Sequence, residues 1–340
     1  MTATATAPTP GPLAAPHPNY RRPAFLAWAE RHGMTYPAPG MSVEDVIIAA
    51  GMNYRVTLDN VETVDPHTGD RRPMEGRYAT VRRDRDGTVT PLAIVGGRYS
   101  ICQNLTALDY GQGLIDDHGA NIAAAAAYGN PLGAKAYLAL RSPHTVHVGG
   151  HDEHRIFVVI SNSHDGTSGL ACSLHAIRTE TGADMAIDLG SAPQKWTIRH
   201  SGDLDEKYAD VAATVAMVER WIDSFEGMSR MLLGKRMGPE QIDDYIEALL
   251  PTPRNAGTRS ATTWAHRRRS LRDLAATDKS TGWVAGTAMS VFHATCQYID
   301  HLAPAKGDNA DRVRAERGLT GRNTLAKERA WRLLSQQLHR

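Results

Sequence analysis

YRVTLDNVETV (54–64), GRYATVRRD (76–84) and TPLAIVGGRYS (90–100) are the stretches that decide the fold class. Polar and apolar residues alternate within each, which is the side-chain period of a strand. The segments between them, DPHTGD (65–70) and DRDGT (84–88), are built from Asp, Pro, Gly and Thr, residues that favour tight turns for backbone reasons. Three strands joined by short turns predict an antiparallel meander.

Upstream of the meander, residues 23–33 (PAFLAWAERHG) predict a short helix. Ser42 predicts the N-cap of a second, with Glu44 and Asp45 in its first turn, Val43, Val46, Ile47 and Ala50 on one face, and Gly51 as its stop. Residues 1–20, rich in Thr, Ala, Pro and Gly, predict a disordered tail. Downstream, Asn104 is read as the cap of a helix over 105–118, and strands are expected over 135–141, 155–161 and 169–178.

Beyond residue 203 the period changes. Tyr208, Val211, Val215, Val218, Ile222 and Phe225 recur at helical spacing, followed by Met228 and Leu232. Further helices are predicted from Pro239 to Pro251, over 283–302 and over 324–338. The fold class is therefore α+β: an antiparallel meander with packed helices in the N-terminal half, and a mostly helical C-terminal half. A strand-rich unit over 21–203 carries a helical region over 204–340, as two domains or as one.

Composition limits the function classes. The 340 residues hold 41% hydrophobic but only 6% aromatic side chains, and 38 basic against 37 acidic groups leave a net charge of +1. No whole-molecule field draws nucleic acid or an anionic membrane, so charge matters only in local clusters. Cys102, Cys172 and Cys296 form no C-x-x-C pair, which argues for a reducing compartment. The N-terminus lacks a basic start and apolar run, and the longest apolar stretch, residues 122–128, is far too short to span a bilayer. A cytoplasmic protein without membrane contact is expected.

The densest basic segment holds Arg254, Arg259, Arg267, Arg268, Arg269 and Arg272 with His266 and Trp264, and contains no acid. Arginines around an aromatic suit phosphates and base stacking; the competing reading is a solvated helix face. A second group, Arg71, Arg72, Arg77, Arg82, Arg83 and Arg85, lies on or beside the hairpin, diluted by Glu75, Asp84 and Asp86. The densest polar cluster is Ser161-Asn162-Ser163-His164-Asp165-Gly166-Thr167. It reads as a turn, with Gly166 at positive φ and Asp165 bonded to nearby backbone. Alternatively Asn162, His164 and Asp165 join Arg199 and His200 in a polar site. Histidines also occur at 144, 147, 151, 154 and 175, yet no HExxH spacing is present, so neither a metal site nor a cofactor is predicted. Gly96-Gly97 reads as a strand bulge rather than a phosphate loop. No G-x-S-x-G motif occurs, and Cys172 and Cys296 sit in apolar surroundings typical of core.

In the order of these segments the chain resembles a phage/plasmid-like protein family that carries domain of unknown function 932. The carriers are Ala50 to Tyr54, Val95 to Tyr99 with Gln103-Asn104, Ser161 to Gly166 and Ile198-Arg199-His200. Gly286 to Ala288, Tyr298 to His301, and Arg314 to Arg317 with Gly321 complete the set. One departure is Thr179 to Asp184, where the family typically reads valine-cysteine-asparagine-threonine-leucine, so cysteine chemistry there is not carried over. The resemblance implies a mobile element in a bacterial host cytoplasm. Helix, three-stranded meander and helix are also similar in outline to single-strand annealing proteins.

Three expectations follow. The leading one is a DNA-associated accessory protein that binds or anneals single-stranded DNA through the Arg254 to Arg272 segment. The second is a metal-dependent hydrolase or nuclease using His164, Asp165 and His200. The third is a self-assembling homo-oligomer with its seam along the Tyr208 to Leu232 face.

Overall fold

The computed structural model describes residues 20–190, 192–197, 204–253, 255, 257–277, 279–305 and 310–338. Residues 1–19 of the expected tail over 1–20, together with Arg199, His200 and Arg254, lie outside the described residues.

In chain order the elements begin with α1 (Ala24–His32), β1 (Gly33–Thr35) and α2 (Val43–Ala49). The predicted cap of α2 is present: the Ser42 hydroxyl accepts from the Asp45 N–H, and the Asp45 carboxylate accepts from the Ser42 N–H in return. The meander follows as β2 (Arg55–Val64), β3 (Arg71–Arg83) and β4 (Val89–Gly96), a three-stranded antiparallel sheet. Register shifts fall at Leu92 of β4, opposite Thr80 and Val81, and between Asn60 and Glu62 of β2, whereas Gly96 ends β4 and Gly97 starts a turn.

The predicted helix over 105–118 is two helices, α3 (Asn104–Leu108) and α4 (Tyr110–His118). Asn104 is not its cap. The cap position is held by Gln103, whose side chain turns away to bond both the N–H and the C=O of Val56. Asn104 is buried and serves another network.

The main sheet is antiparallel and six-stranded, in the order β1, β5 (Asn121–Tyr128), β6 (Lys135–Val148), β7 (Asp152–Ser163), β8 (Ala171–Arg178) and β9 (Lys195–Thr197). Strand β5 contains five consecutive alanines, a residue depleted in strands. Ala124, Ala125 and Ala126 are wholly buried, so both faces of this strand are covered. Small side chains let helices approach closely, and tertiary packing decides the conformation. One face of the sheet (Ala124, Ala126, Tyr137, Phe157, Val159) packs on Phe25, Leu26 and Trp28 of α1 and on Ala315 and Leu319 of α9 (Ala310–Leu319). The Trp28 indole donates to the Ala127 carbonyl at 2.9 Å.

The opposite face (Ala125, Leu138, Leu140, Val158, Ile160, Leu174) belongs to a second, larger core. That core includes α2, α4 and α5 (Leu204–Gly234), together with α6 (Pro239–Leu249) and α8 (Ala288–Gln297). Leu271 of α7 (Thr258–Thr277) and Ala330 and Leu334 of α10 (Arg322–Leu338) complete it. The expected helix over 283–302 is a 3₁₀ segment, α8 and a π-turn in succession. The α5 stripe, with Val218, Trp221, Phe225, Met228 and Leu232, is buried within the chain's own core.

Gly33 marks how closely α1 and β1 approach the alanine strand. A Cβ there would sit 2.1 Å from the Ala125 carbonyl oxygen, so Gly33→Ala must displace backbone. We expect it to cost about 1–3 kcal/mol in urea unfolding. Gly227→Ala, in an open helical position, should be neutral or stabilising by up to about 1 kcal/mol. Equal stabilities for the two variants would contradict this packing.

Candidate functional site

Three of the segments singled out in the sequence meet at the end of β7. Asn104 donates to the Met52 carbonyl at 3.0 Å, and its Oδ1 accepts from Asn162 at 3.0 Å and from His164 Nε2 at 2.9 Å. A carboxamide oxygen only accepts, so His164 carries its proton on Nε2 and buries Nδ1 without a partner. Asn162 also donates to the Cys102 carbonyl, Tyr99 donates to the Ser163 carbonyl, and the Tyr54 ring lies edge-on to His164 at 6.2 Å. Arg82 stacks over that Tyr54 ring at 4.2 Å and pairs with Asp84.

Asp165 does different work. It accepts from Ser163 Oγ and from both the N–H and hydroxyl of Thr167, and Gly166 adopts φ +71°. These are the features of the turn reading. His164 and Asp165 therefore point into separate networks.

Beside this turn lies the largest of the described cavities, about 420 Å³. Lys135 at the start of β6 and Ser161 on β7 reach it from one sheet face. The loop residues Thr167 and Ser168, and Lys195, which opens β9, reach it from the same side. Glu316 and Arg317 of α9, Thr320, and Arg322, the first residue of α10, form the opposite wall. Four cations thus face one lining carboxylate. Lys135 lies 3.4 Å from Asp165, and Arg317 donates to the Pro304 carbonyl. Burial holds Lys195 below its ordinary pKa, and the nearby Lys135 charge adds to the effect. Cations clustered with serine and threonine hydroxyls suit a phosphate, which accepts from both kinds of donor.

Part of the arginine segment serves the fold. Arg268 donates to the Leu250 carbonyl and pairs with Glu247, and Arg272 pairs with Asp243, fastening α7 to α6. Arg267 lies over the Trp264 ring at 4.9 Å. Arg259 and Arg269 are exposed. On the hairpin, Arg83 pairs with Asp59 and Arg71 with Glu62, while Arg72, Arg77 and Arg85 are exposed.

Two buried clusters escaped the sequence. In the first, Ser173 Oγ stands 3.1 Å from His175 Nε2, and His175 Nδ1 stands 2.7 Å from Asp184 Oδ2. The order is that of a nucleophile, a base and an orienting acid. However, Ser173 is 2% exposed, and the small cavity that reaches His175 and Asp184 is not lined by Ser173. Lys327 completes the cluster, 3.0 Å from Asp300 and 3.9 Å from Asp184. Burial alone would lower its pKa, but the two carboxylates hold it above its ordinary value. This cluster ties β8 to α10. The second gathers Asp152 and His154 of β7 with His293 of α8. His154 was visible among the histidines; His293 had no motif to mark it.

The model of a family described as a domain of unknown function (DUF932) matches residues 91–325. No curated protein and no solved structure matches the chain.

Burial pushes His164 down to a pKa of about 4, against a weaker upward pull from Asp165. Its folded pKa lies below the unfolded value of about 6.5, so the folded state binds fewer protons. Stability is intact above pH ~6.5 and is lost as pH falls towards ~4. We expect wild type to lose about 2–3 kcal/mol more than His164→Gln between pH 7 and pH 4.5. Parallel stability curves in urea titrations would contradict the burial of a neutral imidazole.

Proposed function

The chain belongs to the family defined by the domain of unknown function DUF932, and from that premise we propose that it binds the phosphate backbone of single-stranded nucleic acid, DNA foremost. One observation carries this reading: the 420 Å³ cleft in which Lys135, Lys195, Arg317 and Arg322 face a single lining carboxylate, Glu316. A phosphate between Lys135 and Lys195 would relieve the Lys135 repulsion that adds to burial in lowering the Lys195 pKa. Exposed Arg259 and Arg269 on α7, and Arg72, Arg77 and Arg85 on the hairpin, supply further cations. Their spread over separate elements suits a chain of phosphates better than one small anion.

This reading moves the centre of binding from the arginine segment to the cleft, because Arg268 and Arg272 already have partners within the fold. An accessory role for a phage or plasmid, in annealing or recombination, is the setting we propose for it. The competing hydrolase proposal needs His164, Asp165 and His200 together. The first two serve different networks, so the cleft is favoured.

Fluorescence anisotropy with a labelled single-stranded oligonucleotide tests the proposal. We expect salt-sensitive binding that Lys195→Ala with Arg322→Ala weakens at least tenfold. If both cations contact phosphate, the slope of log K against log salt should shrink by about 1.4. Arg268→Ala should act mainly on stability. A wild-type protein with no salt-sensitive retention of oligonucleotide at low ionic strength would end this reading.

A further inference from the structure

We propose that Asp152, His154 and His293 form a buried binding site for a divalent transition-metal ion of the zinc class, clamping α8 to strand β7. Asp152 and His154 stand two residues apart on β7 and so share a face of the sheet. His293 comes from the middle of α8, a helix whose every residue is buried. The three side chains are 0–1% exposed.

Unmet bonding capacity carries the argument. His154 Nε2 and His293 Nε2 are buried without a hydrogen-bond partner, and both face the Asp152 carboxylate; His293 Nδ1 is buried without a partner as well. Leaving one such atom unpaired costs about 1–3 kcal/mol; two beside one carboxylate call for a common partner. Both nitrogen-to-carboxylate separations are close to those of a coordination shell. His293 Nε2 lies 3.3 Å and His154 Nε2 3.6 Å from Asp152 Oδ2. Ligands about 2.0–2.1 Å from a tetrahedral zinc ion stand about 3.3–3.4 Å apart.

Neighbouring groups aim the ligands. His154 Nδ1 lies 3.0 Å from the Asp152 backbone carbonyl, so it carries the proton and leaves the Nε2 lone pair directed at the cluster. Arg178 Nε donates to both Asp152 oxygens at 2.8 Å. Each carboxylate oxygen has a second lone pair, so Oδ2 can still bind an ion. The positive charge of Arg178 opposes a cation here, and it is offset in turn by Glu180 at 2.9 Å. The Phe225 ring lies 5.4 Å from His154. Two neutral imidazoles and one carboxylate favour zinc or its neighbours over magnesium or calcium, which prefer all-oxygen shells. The site does not involve the cation-lined cleft, so the two proposals stand or fall separately.

The test uses the full-length chain without an affinity tag. Elemental analysis of protein produced with added zinc should give one metal per chain. Refolding with cobalt(II) alone should give the visible bands of a tetrahedral nitrogen and oxygen site, without a sulfur charge-transfer band. His154→Gln and His293→Gln should each abolish the stoichiometric metal and the cobalt spectrum, and zinc should raise the melting temperature of wild type only. Substoichiometric metal in wild type, with no cobalt spectrum and no zinc-dependent melting shift, would overturn the proposal. So would metal retained at full stoichiometry in both variants, or a thiolate band. If the variants fail to fold, the metal content and cobalt spectrum of wild type decide the question alone.

Discussion

Covering both faces of one antiparallel sheet is the constraint on which the rest of the structure depends. An antiparallel sheet often leaves one face to water, but here α1 and α9 close one side and the large helical core closes the other. Strand β5 must then be apolar on both faces and thin enough for helices to approach. Its alanines meet both demands. Gly33, which cannot gain even a methyl group without striking the Ala125 carbonyl, extends the same requirement to the edge strand.

Polar side chains on such a sheet have no water to fall back on, so each must find a partner inside. Three groupings result. Asn162 and His164 close on Asn104 at the end of β7. Ser173 and His175 of β8 run through Asp184 to Lys327 of α10. Asp152 and Arg178 pair between the other ends of the same two strands. The first two leave few donors unmatched. The third leaves His154 Nε2 and His293 Nε2 bare beside a carboxylate, an imbalance within the protein atoms themselves.

Legibility in the sequence followed the range of the forces involved. The meander, the Ser42 cap and the Asp165-Gly166 turn are settled by neighbours a few residues apart, and all three were readable. The strand Asn121–Tyr128 was not, because alanine carries no strand signal and its conformation is imposed by α1, β6 and the helices beyond. Asn104 illustrates the same limit. It has the chemistry of a cap, but burial beside Asn162 and His164 offers it three long-range bonds that a cap position does not. The cleft could not be read either. Lys135, Lys195 and Arg322 are isolated in sequence, and only strand pairing and the α9–α10 junction bring them to one cavity.

The arginine segment shows why local charge density misleads. Helical geometry places Arg268 and Arg272 four residues apart on one face, and that face meets the carboxylates and carbonyls of α6. Their charges are spent on tertiary structure before any ligand arrives. Arg259 and Arg269, from the same acid-free run, remain exposed. A charge counts towards recognition only after the protein's own anions have been matched. By that measure, even with Lys135 matched by Asp165, the cations left around one cavity with a single lining carboxylate outweigh six arginines in a row of nineteen residues. The excess that a phosphate can answer lies where the sheet ends, not where the sequence is most basic.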